Sequence, residues 1–250
     1  MAREYVEVTC GKPGKAFLTT VHRLDRPVSG VMCLARTSKA AARLSSSFRG
    51  REGVEKTYFA VVEGHLQGCG RREDLLLPRD NVRARTRVLP REPTLEDQRK
   101  TPCKPLTGLD WSENLPSLET PARGIGQMGV LDWEAVYKAS SPRHSGEGSV
   151  QTLVRVRLHT GRKHQIRAQL SAMGHPIIGD VRYGASYFLK DHSILLHASN
   201  LVVPHPTRRT PLHLGAPPPL SWKESCARDI FRHVVWDPKQ GVVESLEPSV

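Results

Sequence analysis

Two stretches alternate in the manner of buried strands. EKTYFAVVEG, at 55–64, runs aromatic and β-branched residues together and closes on Gly64. SVQTLVRVRLHTG, at 149–161, sets Val150, Thr152, Val154, Val156 and Leu158 on one face, Arg155 and Arg157 on the other, and ends at Gly161. A short apolar run at 31–35 predicts a further buried strand. In RTSKAAARLSSSFRG the period changes to that of a helix. Thr37 or Ser38 can cap it, Ala41, Leu44 and Phe48 recur at i, i+3 and i+7, and Gly50 and Gly53 flank its end. RKHQIRAQLSAMG, at 162–174, predicts a second helix with Ile166, Leu170 and Met173 inward and Lys163 and Arg167 on a common face.

The weaker patterns fill in the rest. Residues 75–89 suit one or two strands, VLDWEAVYKAS gives another, and a turn is expected over 140–148. HSILLHASNLVVPHP holds a last strand pair, and SWKESCARDIFRHVV reads as a short helix after the spacer LGAPPPL. Strands outnumber helices without regular βαβ alternation. The expected fold is α+β, a mixed and mostly antiparallel sheet with flanking helices. Residues 90–129 break the pattern with repeated Pro and Gly and read as a surface insertion in which Trp111 anchors one end. The expected organisation is one domain over 1–215 carrying that insertion, then an extension over 216–250.

Composition narrows the partners. With 37 Lys and Arg against 25 Asp and Glu, the net charge of +12 favours a polyanion, RNA or DNA first. No helix-turn-helix or finger pattern points to DNA. There is no apolar run of membrane-spanning length and no basic block beside an amphipathic segment, so no membrane partner is expected. The first twenty residues lack the apolar middle of a signal peptide. The five cysteines, Cys10, Cys33, Cys69, Cys103 and Cys226, form no CxxC pair and are expected as reduced thiols. Without a nucleotide-binding glycine motif or metal-spaced ligands, neither cofactor nor metal is expected.

The candidate chemistry starts at TTVHRLDRPVSG, 19–30, where Asp25 stands between Arg23 and Arg26. Either this acid only orders its turn through a salt bridge, or it is a reactive carboxylate kept ionised by nearby cations. The residue types leave both readings open.

HRLDRPVSG, EKTYFAVVEG, LHTGRKHQIRAQL, GHPIIGDVRYG and LLHASNLVVPHP, in that order, resemble the motifs of the RluA-type family of RNA pseudouridine synthases, over roughly 15–210. The resemblance implies a catalytic cleft across the middle of the sheet and an aspartate-dependent conversion of uridine to pseudouridine in structured RNA. It implies that Asp25 is catalytic, that Tyr58 packs on the base and assists loss of the C5 proton, and that Arg167 pairs with Asp25. Arg23 would fill the space left by the displaced nucleotide, and Leu195 or Leu196 would form an apolar wall. His22, Arg162, Lys163 and Gln165 complete the expected substrate-binding set. Arg36, Lys39, Arg43, Arg155, Arg157 and Arg182 are expected to follow the RNA backbone. His22 and His164 are read as local hydrogen-bonding groups, and Asp180 as a residue that fixes its own turn by accepting backbone N–H bonds.

Some positions depart from the family pattern. Val28 stands where the family has threonine, Lys163 replaces another threonine, and Ala168-Gln169 replaces Val-His. CGKPGKAF lies close to the HRLD box, an abbreviated start, and no S4-type RNA-binding domain is expected. These departures support an alternative: an RNA-binding, ribosome-associated assembly factor with little turnover and ribosomal or assembly proteins as partners. Ribosomal, transfer and messenger RNA all remain candidate ligands. The extra elements favour a mitochondrial setting over cytoplasm or nucleus.

Overall fold

The computed structural model describes residues 2–11, 16–78, 86–90, 126–141, 149–224, 230, 234–236 and 243–245. Most of the expected insertion, with Trp111, lies outside these residues, as does the turn expected over 140–148 except Ser140 and Ser141, which continue a strand. Helix α1 (Ala2–Cys10) is followed by three two-residue strands, β1 (Thr19–Thr20), β2 (Ser29–Gly30) and β3 (Leu34–Ala35), and by α2 (Ser38–Gly50). Then come β4 (Glu55–Glu63), β5 (Cys69–Pro78), β6 (Thr86–Pro90), β7 (Gln127–Ser141) and β8 (Ser149–Leu158). Helix α3 (Gln165–Ala172), β9 (Leu196–Pro204), β10 (Pro211–Gly215), α4 (Ser221–Glu224), β11 (Val234–Trp236) and β12 (Val243–Ser245) complete the order.

The central sheet runs β10-β9-β4-β8-β7-β5-β6, every neighbour antiparallel, and β2 adds one parallel pairing on β9. This is the expected mixed, mostly antiparallel sheet. The period of two sorts its core. From β4, Tyr58, Ala60 and Val62 pack on one face with Val154, Val156, Ile166, Leu170 and Leu196. Phe59 and Val61 pack on the other with Leu153, Ile178 and Leu195, joined by Trp222 and Ile230 from beyond residue 215. Each fully buried Val, Leu, Ile or Phe among them contributes about 1.5–3 kcal/mol.

Both faces of β8 are therefore covered, and 151–156 are all buried. A polar outer face is not realised: Arg155 lies inside, its Nη1 3.2 Å from Glu134 Oε2. Helix α2 follows its pattern more closely. The Thr37 hydroxyl accepts from Ala40 N at 3.1 Å, Leu44 is buried, and Ala41 and Phe48 pack beside it against β9. Its left-handed cap is Arg51, at φ 62°, one residue past the glycine expected there.

Three expectations change. Of 31–35, only Leu34–Ala35 forms a strand, paired with β1. HSILLHASNLVVPHP supplies one strand, β9, and its hairpin partner β10 lies further on. Cys33 is a free thiol but Cys69 is disulfide-bonded, because distance along the chain does not limit what the fold brings together. Among the described residues no helix is long and apolar enough to cross a membrane.

Gly30 fixes β2 on the sheet. At φ 128°, a Cβ here would meet the Ala198 carbonyl oxygen at 2.3 Å, backbone that cannot yield. Gly30→Ala is expected to cost about 3 kcal/mol or more. Chemical denaturation would read this as a lower midpoint with an unchanged slope.

Candidate active site

The loop from β1 to β2 crosses the Tyr58 face of the sheet and is tied at several points. Val28 N donates to Asp25 O at 3.0 Å and Ile194 N to Pro27 O at 3.1 Å. The Ser29 hydroxyl lies 2.8 Å from His197 Nδ1. On the other side, Cys33 N donates to His22 Nε2 at 2.8 Å and the His22 ring stacks on Phe48. Burial first, then the charge of Lys56, lowers the His22 pKa to about 4. His22 is therefore a neutral acceptor that holds the loop, and it also lines the cleft.

A cleft of about 430 Å³ opens between this loop and the start of α3, within the usual range for small-molecule sites. Asp25 faces it with its side chain 31% exposed. Arg167 Nη1 donates to Asp25 Oδ2 at 3.4 Å. The same guanidinium donates through Nε and Nη2 to Asp180, at 2.6 and 2.8 Å, and lies over the Tyr183 ring at 4.9 Å. Burial alone would lower the Arg167 pKa, but the hydrogen bonds and charge of Asp180, then the charge of Asp25, raise it above its ordinary value. Two carboxylates thus share one permanent cation, and Asp180 takes the bidentate side.

The turn reading of Asp180 is corrected. Its side chain makes no cap hydrogen bond, and the turn is held by the backbone, Tyr183 N donating to Asp180 O at 2.8 Å. The carboxylate is committed to Arg167 instead. Tyr183 extends the frame: its hydroxyl accepts from Thr86 N and lies 2.9 Å from His164 Nδ1. Burial first, then Arg167, lowers the His164 pKa, favouring the neutral ring. With Thr86 donating to the phenol oxygen, the phenol hydrogen is assigned to Nδ1 and the imidazole proton to Nε2, which faces Asp25 Oδ2 at 3.7 Å.

Helix α3 starts at Gln165, and His164 precedes it in a left-handed conformation at φ 54°. Lys163 is thus outside the helix and exposed while Arg167 is buried within it, so the two share no face. Gln165 is spent on the helix start: its Oε1 accepts from the Thr160 hydroxyl at 2.7 Å and from Arg162 N at 3.1 Å, and its Nε2 donates to Val130 O. Arg162 lines the cleft with its Nε on Met128 O, and Arg23 and Lys163 stand exposed at the edge.

Tyr58, Leu196 and Val28 form the apolar wall with Leu158 and Ile166. Burial, then the charge of Asp25, pushes the Tyr58 phenol up to about 12. Leu195 is not part of this wall, because it points through the sheet to the opposite core. Of the groups expected along the RNA backbone, Arg36, Lys39, Arg43 and Arg182 are exposed, and Arg43 Nη1 donates to Pro206 O at 2.7 Å. Arg157 is half-buried within electrostatic reach of Glu55 and Asp132. Arg155 is corrected: it is buried with Glu134 and over Phe59, on the face away from the cleft. Sequence reasoning singled out Lys56 as a strand-borne cation beside Tyr58 but assigned no role to Tyr183 or Thr86, which carried no usable signal.

A family model described as RNA pseudouridylate synthase matches residues 11–172. The tRNA pseudouridine synthase C of Pectobacterium carotovorum subsp. carotovorum is 33% identical over 205 residues, 79% of this chain and 46% of that protein. The chain thus spans under half the length of that relative. The tRNA pseudouridine synthase C of Pasteurella multocida (strain Pm70) is 31% identical over 225 residues, 87% of this chain and 77% of that protein. The solved structure of Human RNA Pseudouridylate Synthase Domain Containing 4 covers 92% of this chain and 81% of its own, with TM-score 0.62 and 21% identity, a likeness of fold.

Proposed function

Because the chain belongs to the RNA pseudouridylate synthase family, we propose that it converts uridine to pseudouridine in structured RNA, with Asp25 as the essential carboxylate. The observation that carries this reading is the shared guanidinium: Arg167 is held by Asp180 through two short bonds and meets Asp25 through one longer one. Asp25 is thereby aimed and kept beside positive charge while remaining open to the cleft.

In the reaction the N1–C1′ bond breaks, the uracil turns, and C5 bonds to C1′. The proton on C5 leaves and N1 gains one, so nothing is oxidised. The sugar carbon becomes electron-poor as N1 departs, and an ionised carboxylate beside it either attacks C1′ or stabilises its charge. Tyr58 offers a flat face to an everted base, and stacking there offsets part of the few kcal/mol of unstacking. Its raised pKa keeps the phenol protonated at neutral pH. The hydroxyl can therefore donate, and it takes up the C5 proton only by passing its own onward. Tyr58→Phe is expected to lower turnover by about 100-fold with RNA binding retained, the size typical of lost proton transfer. Single-turnover assays beside filter binding would measure both.

Transfer RNA is the substrate to test first, since both relatives named above carry it in their names; ribosomal and messenger RNA are the other candidates. Incubation with RNA carrying tritium at uridine C5 is the direct assay. Release into water supports the reading, and binding without release from any of the three RNA classes removes it. The non-catalytic alternative leaned in part on Val28, beside the abbreviated start and the long proline-rich stretch. In this fold the Val28 amide is satisfied by Asp25 O and the Val28 side chain lines the cleft.

A further inference from the structure

One corner of the cleft concentrates positive charge that none of the described carboxylates pairs with. Lys56 and Arg162 both line the cleft. Lys56 Nζ stands over the Phe48 ring at 5.1 Å from its centroid, and a Cβ added to Gly161, next to Arg162, would lie 3.4 Å from that Nζ. The ammonium is therefore wedged between an aromatic face and the backbone that carries Arg162. Arg51 caps α2 beside them, its charge close enough to lower the pKa of both Lys56 and Arg162, after the larger effect of their burial. Among the described residues no carboxylate pairs with any of the three; Asp132, Asp74, Glu134, Asp25 and Asp180 face Arg71, Arg72, Arg155 and Arg167 instead. His22 stacks on the same Phe48 ring as a neutral group and offers the cluster no counter-charge.

Partly desolvated like charges held together repel one another unless something anionic joins them. The available space is on the cleft side, where Gly161 leaves room that any side chain would take. We propose that Lys56 and Arg162, with Arg51 adding its charge from the end of α2, form a phosphate subsite that takes a backbone phosphodiester adjoining the nucleotide bound at Asp25. This placement rests on the synthase reading of the cleft. A phosphodiester brings one negative charge and free acceptor oxygens, which suit a lysine point charge flanked by two guanidinium groups. It separates the work of the cleft: Asp25, Arg167 and Tyr58 act on the sugar and base, while the three cations fix the strand beside them.

The test is salt-dependent binding of a fluorescent single-stranded oligouridine to the full chain and to Arg51→Gln, Lys56→Gln and Arg162→Gln. Lys190→Gln, exposed beside Leu189 on the other face of the sheet, is the comparison. Each cleft variant is expected to lower the slope of log K against log salt by about 0.7 and to weaken binding roughly tenfold at low salt. Lys190→Gln should change neither. Arg51 sits at the end of a helix, so thermal melts accompany the binding, and Lys56→Gln and Arg162→Gln stand if Arg51→Gln unfolds. Wild-type slopes in the folded cleft variants would overturn the subsite, and so would an equal loss in Lys190→Gln. Tritium release is read separately. RNA turnover with unchanged slopes removes the subsite alone, whereas altered slopes without turnover on any RNA remove the synthase reading and leave the anion site.

Discussion

Asp25→Asn is expected to abolish tritium release, by about 1,000-fold or more, equivalent to roughly 4 kcal/mol of barrier. RNA affinity should stay within about twofold, because the substitution preserves size and removes only the charge facing the sugar. The stability change should be small. Asp25 makes a single contact with Arg167 at 3.4 Å and is 31% exposed, while Arg167 keeps its two bonds to Asp180. A partly exposed pair of this kind is worth about 1 kcal/mol or less. This split distinguishes a reactive acid from one that merely orders its turn. A turn-ordering acid would lose stability and activity together.

Asp180→Ala is expected to have the opposite effect on stability. It removes the bidentate partner of a buried guanidinium and leaves that charge with Asp25 alone, at a cost of about 3–5 kcal/mol. The milder Asp180→Asn keeps a hydrogen-bond acceptor but frees Arg167 to close fully on Asp25. Turnover should fall by roughly 100-fold, the scale set by a misplacement of about 1 Å. KM should change little, because Asp180 touches no substrate. A purely structural role would instead reduce the folded fraction and leave turnover per folded molecule unchanged, which active-site titration would reveal.

The sequence disclosed the strands of the sheet centre because β4 and β8 carry long, unbroken runs of β-forming residues. It disclosed the HRLD and HQIR stretches because charged residues there sit among apolar ones. It did not disclose which face each residue takes. Leu195 and Leu196 are chemically equivalent, and only the register of β9 on β4, pairing Ala60 with Leu196, puts Leu196 on the cleft side. Arg155 looked like a surface cation because its buried state depends on Glu134, supplied by β7 opposite it. Asp180 looked like a turn residue because its true partner, Arg167, belongs to a helix that only tertiary packing brings across. The start of α3 was misjudged by the three residues 162–164, since a left-handed His164 has no signature in helical periodicity.

The most direct measurement is a structure of the wild-type protein with an RNA that it modifies, carrying 5-fluorouridine at the target so that no proton can leave C5. The sugar C1′ of that nucleotide is predicted within about 3.5 Å of an Asp25 carboxylate oxygen, or bonded to it, with the base on Tyr58 and Arg167 still held by Asp180. An everted base lodged elsewhere, or Asp25 closed under Arg167 with the ribose out of reach, would contradict the account.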